Sequence, residues 1–76
     1  GGGHLIVAVH PPSGLVGETP KMAALLERHK VALLAVWQPG WEGPPRPLEP
    51  DRPIAETDLL ILAGHINQLR ELRKIK

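Results

Sequence analysis

The chain contains no cysteine, no phenylalanine and no tyrosine. The first absence removes disulfides and thiolate metal sites from consideration and leaves the redox compartment unmarked. The other two leave Trp37 and Trp41 as the only aromatic side chains, so a core must be built from Leu, Val, Ile and Ala. Charge of one sign is missing as well. Nine Lys and Arg stand against eight Asp and Glu for a net charge of +1, which supplies no general attraction to nucleic acid or to a membrane surface. No segment approaches the roughly 18 consecutive apolar residues of a membrane helix, and the N-terminus lacks the basic-then-apolar layout of a signal peptide. Neither a nucleic-acid partner nor direct membrane insertion is expected.

What is present is 76 residues, 42% of them hydrophobic, enough for one small domain with a thin core. Residues 1–4, "GGGH", read as a tag or linker remnant, and the domain proper as residues 5–76, cut from a longer protein. "LIVAVH", residues 5–10, is a short apolar strand stopped by Pro11 and Pro12, which cannot continue a ladder. "SGLVGETP" then turns strand into helix. Ser13 suits turn hydrogen bonding, Gly14 and Gly17 open backbone angles closed to other residues, and Thr19 followed by Pro20 is an N-cap followed by a favoured first helical residue. One continuous helix is expected from Pro20 to His29, with Met22, Leu25, Leu26 and His29 on its apolar stripe.

"VALLAVW", residues 31–37, predicts the second strand. Six prolines between Pro39 and Pro53 rule out a central strand there and favour a rigid loop, with room only for a short edge strand from Pro45 to Glu49. "DLLILA", residues 58–63, predicts the last strand, closed by Gly64, and a helix from Ile66 follows. Its Ile66, Leu69, Leu72 and Ile75 share one side, and Arg70, Arg73, Lys74 and Lys76 sit where cations favour the helix dipole. The fold class is therefore α+β, with a small mixed or antiparallel sheet of three to four strands, two helices and the order β-α-β-β-β-α. No internal repeat interrupts it.

Strand side chains alternate between faces, and simple alternation groups Leu33, Ala35 and Trp37 against Ala32, Leu34 and Val36. Both groups are apolar, as are both faces of the other two strands. If the two helices cover the same face of the sheet, an apolar face is left over, and a symmetric pair of copies is the common remedy. Trp37, Trp41, Leu34 and Val36 are the candidate interface residues on this reading.

Chemistry-bearing constellations are scarce. His4 and His10 lie roughly 20 Å apart along an extended strand, too far to share one ion. His29 and His65 suit packing and helix-entrance roles, so no metal site is expected. Ser13 lacks the Gly-x-Ser-x-Gly context of a nucleophile, and "GLVG" lacks both the spacing and the Lys-Ser/Thr ending of a phosphate loop. The carboxylates are scattered, the basic cluster of the last helix is interrupted by Glu71, and no catalytic residue is expected.

The succession "VHPPSGLVGETP", an aliphatic helix, "HKVALLAVWQPG", a proline-containing stretch and "IAETDLLILAGHINQLRELRKI" resembles the C-terminal domain of RCK/KTN proteins, also called the TrkA-C domain, over nearly the whole chain. Ser13, Leu15 and Gly17 match that family's Ser-x-Leu-x-Gly turn. Asp58 matches the acidic residue opening the strand that ends in Gly64. The chain departs from the pattern at Trp37-Gln38-Pro39, where members often carry a basic residue, and at Thr57-Asp58, where they carry Gly-Asp. The resemblance implies a noncatalytic, homodimeric, cytoplasmic regulatory domain of a potassium channel or cation transport system, acting on a membrane-embedded subunit through its parent protein. It also implies a small-molecule effector, cyclic di-AMP or another nucleotide, or a divalent cation, though no contact residue for any of them is matched here. The Rossmann domain that often precedes this one has no Gly-x-Gly-x-x-Gly counterpart in these residues, so NAD or ATP binding is not expected. Two alternatives remain, a structural dimerisation module without a ligand and an ACT-like small-molecule-binding domain. The second is weakened by a chain that finishes in a helix where a ferredoxin topology needs a strand.

Overall fold

The computed structural model describes residues 2–44 and 46–76. Its sheet has three strands, β1 (His4–Val9), β2 (Ala32–Trp37) and β3 (Leu59–His65). They are ordered β1-β3-β2 and all antiparallel, which makes the chain a small α+β domain of the expected class. The strand that comes last in sequence is the central one. β1 pairs with it from His4↔His65 to Val9↔Leu60, and β2 from Ala32↔Ala63 to Trp37↔Leu59. His4 thus belongs to the sheet, and the carbonyl of Gly3 accepts from Ile66 N–H at 2.9 Å, so both residues are built into the domain.

The opening turn carries a single turn of 3₁₀ helix over Ser13–Leu15 and leads to α1 (Pro20–Ala23). Thr19 caps it, its Oγ1 accepting from Met22 N–H at 3.1 Å, with Pro20 as the first helical residue. The expected continuous helix is in fact two pieces. Ala24 adopts a left-handed conformation (φ 45°, ψ 52°) and α2 (Leu25–His29) begins after it. The reason lies in the core. Ala23 and Leu25 are both buried, yet in one unbroken helix they would point about 200° apart. The break resets the rotation so that both face inward. Met22 and Leu26, assigned to the apolar stripe, are instead 65% and 57% exposed.

The edge strand expected over Pro45–Glu49 is also not formed where it can be seen: Pro45 lies outside the described residues, and Arg46–Glu49 are irregular. Prolines here offer carbonyls and no N–H, so the loop attaches by isolated bonds rather than a ladder. The Pro50 carbonyl accepts from Lys21 N–H at 3.0 Å, taking up one of the unpartnered donors at the start of α1. Ile54 then makes two backbone bonds across the opening turn, accepting from Gly17 N–H at 2.7 Å and donating to the Glu18 carbonyl at 2.8 Å. These bonds drive the Ile54 side chain into the core beside Leu15, Ala23, Leu25, Val31, Leu60, Leu62 and Leu72. The last helix, α3 (Ile66–Leu72), closes the domain by adding Leu72 to the same cluster.

Candidate interaction surface

The buried residues of β3 are Leu60 and Leu62, one face of the strand, and they cluster with Ala23 of α1, Leu25 of α2 and Leu72 of α3. All the helices therefore cover one side of the sheet. Their supporting neighbours on the flanking strands follow from the register: Val7 and Val9 stand opposite Leu62 and Leu60 on β1, and Leu33 and Val36 do so on β2. All four pack against the core.

The other side presents Ile6 and Ala8 from β1, Leu59, Ile61 and Ala63 from β3, and Ala32, Ala35 and Trp37 from β2. None of these packs against the core cluster. No Lys, Arg, Asp or Glu stands among them, and at one end the imidazoles of His4 and His65 meet edge to face with ring centroids 5.4 Å apart. Ile6 is 71% exposed and Trp37 50%. An aliphatic face of this kind, with tryptophan at one corner, is what monomers rarely leave in water.

A bulge fixes which β2 residues belong to it. The register slips between Leu33 and Ala35, so Leu34 falls out of the ladder and is half-exposed, and the alternation changes phase behind it. Simple alternation placed Ala35 with Leu33 and Ala32 with Val36. The structure instead puts Ala32, Ala35 and Trp37 outward and turns Val36 inward against the core, removing Val36 from the candidate interface.

Trp41 is held within its own loop. Its Nε1–H donates to the Pro44 carbonyl at 2.9 Å, and the Arg46 guanidinium lies over its ring, 3.3 Å from the centroid, while donating to Gln38 Oε1 at 3.1 Å. The second tryptophan therefore clasps the proline-rich loop.

The turn residues have separate tasks. Gly17 takes φ +89°, open only to glycine without strain. Gly14 has an ordinary φ but no room: a Cβ there would lie 2.6 Å from Ile75 Cγ2 and would also meet the Lys76 backbone. Gly64 pairs with Leu5 inside β3, where a Cβ would lie 3.4 Å from Val31.

Asp58 is the one buried charged residue among those described. Its Oδ2 accepts from the Arg52 guanidinium at 3.1 Å and from Ala55 N–H at 2.9 Å. Its backbone N–H donates to the Ala55 carbonyl at 3.0 Å. Its own carbonyl accepts at 3.0 Å from His10 Nδ1, which must carry the proton because a carbonyl can only accept. One residue thereby joins the exit of β1, the end of the proline-rich loop and the entry to β3. The sequence pointed to Asp58 only as a strand opener, and Arg52 and Ile54 carried no periodic signal at all.

Among the described residues no group of three His, Asp or Glu side chains is placed to hold a metal ion. His65 caps α3, its Nδ1 accepting from Asn67 N–H at 3.1 Å. No helix of the described residues is long and apolar enough to cross a membrane. No family model and no curated protein matches the chain.

Proposed function

We propose that this chain is a noncatalytic regulatory domain that pairs with a second copy through its open sheet face, senses a small ligand, and serves a potassium channel or related cation transport system on the cytosolic side of the membrane. The resemblance of its motifs to the RCK/KTN C-terminal domain suggests the setting. The observation that supports pairing is the uncovered face around Ile6, Ile61 and Trp37, aliphatic on all three strands and unpacked by any helix. Burying it between two copies removes apolar area from water at about 25 cal/mol per Å². Two paired domains can also adopt more than one relative arrangement. A ligand that binds one arrangement more tightly shifts the population toward it, and a coupled cation pathway responds to that shift.

Sedimentation equilibrium across the micromolar range tests the pairing. The expected result is a dimer mass that falls to the monomer mass in Ile6→Glu and Trp37→Glu variants whose circular dichroism is unchanged. A wild-type chain that stays monomeric at high micromolar concentration overturns it. Thermal shift with cyclic di-AMP, other nucleotides and divalent cations tests sensing, because a ligand at about 100 times its Kd stabilises the folded state by roughly 2.7 kcal/mol. A dimer that responds to no small ligand would be a structural dimerisation module instead.

A further inference from the structure

On the covered side of the sheet, α3 does not close fully over β1, and a groove of about 620 Å³ remains between them. Its floor is aliphatic, formed by Val7, Val9, Leu62 and Leu69, and its rim carries Arg70 and Arg73. No carboxylate and no tryptophan lines it. Neither arginine belongs to an ion pair among the described residues, whereas the two other cations that do, Arg52 and Lys74, are matched to Asp58 and Glu71. The volume falls within the ordinary range for small-molecule sites, about 300–1,000 Å³.

We propose that this groove binds an amphipathic carboxylate, a medium-chain aliphatic acid whose tail lies along Val7 and Val9 and whose head meets Arg70 and Arg73. Charge complementarity selects the head, since two unpaired guanidiniums face a site with no acid in it, and their planar forks match the two oxygens of a carboxylate. The floor selects the tail. Unbranched alkyl chain matches a Val- and Leu-lined trough, and a nucleobase would find no aromatic ring to stack on apart from the His10 imidazole at one end. Arg70 lies in the last turn of α3 and Arg73, three residues on, is its C-terminal cap in helical conformation, so both can reach one head group while their stems extend the apolar wall.

This deepens the ligand-sensing half of the proposed function and rests on it, but not on pairing, because Val7, Val9, Leu62 and Leu69 belong to the helix-covered side of the sheet and, of the open-face residues, only Ala8 and Leu59 also border the groove. The test is titration of the whole chain with decanoate, followed by methyl NMR and calorimetry, with sedimentation run alongside. Saturable shifts at Val7, Leu62 and Leu69 are expected, with affinity falling roughly tenfold or more in the Arg70→Gln, Arg73→Gln double variant, whose helix propensity is retained. Decanol, with the same tail and no charge, is expected to bind more weakly. Absence of saturation, equal affinity in the double variant, shifts confined to Ile6 and Ile61, or cyclic di-AMP displacing decanoate from the same methyls would each overturn the assignment. A dimer that ignores decanoate overturns the groove alone, and a monomer that binds it overturns the pairing alone.

Discussion

A carboxylate taken out of water needs charge and hydrogen-bond partners, and Asp58, 2% exposed, has one cation and one backbone amide, both at Oδ2. Replacing it with alanine strands Ala55 N–H and releases Arg52, so the chain should lose about 2–4 kcal/mol of stability, read as a lower urea midpoint with unchanged m-value. Arg52→Gln should cost less, because that side chain is 32% exposed, its charge is partly screened, and an amide can still donate to Asp58. Backbone angles give a prediction of opposite sign. Ala24 and Lys30 both hold positive φ, 45° and 60°, without being glycine. Ala24→Gly should therefore raise stability by about 1 kcal/mol, whereas Gly17→Ala should lower it by a similar amount, both measurable by chemical denaturation.

At the scale of elements, the short apolar runs bounded by proline and glycine were legible, since β1, β2 and β3 all lie within a residue or two of the runs at residues 5–10, 31–37 and 58–63. So was the capped entry to α1, because Thr19-Pro20 acts locally. The break at Ala24 was not, because it answers to where Ala23 and Leu25 must point in three dimensions, and nothing in the local spacing records that demand. The bulge at Leu34 escaped for the same reason: a phase change in a strand that is apolar on both faces leaves no trace in hydropathy. Ile54 shows how a loop becomes part of the core. Surrounded by proline and charge in the sequence, it is 2% exposed in the fold. Ile54→Ala should destabilise the domain by about 2–5 kcal/mol by removing apolar contact and leaving a cavity. Amide exchange at Gly17, whose N–H is bonded to the Ile54 carbonyl, should accelerate in that variant.

For the whole molecule, an apolar outer face was foreseeable from strands that are hydrophobic on both sides, but the choice between helices on one face or on two was not. The register and the core cluster place them together. If two copies share that face, their folding and association are linked, and the melting temperature should rise with protein concentration. Trp37→Glu should abolish that dependence. The same layout sets the order in which the chain can acquire structure. β1 and β2 are not paired with each other, and both wait for β3, so Leu5 has no rung until Gly64 arrives. On a ribosome, most of these residues must emerge before the first strand finds a neighbour, and the sheet can form only once β3 has left the exit tunnel. Nascent chains arrested before Leu59 should accordingly remain protease-sensitive and in need of a chaperone's shelter.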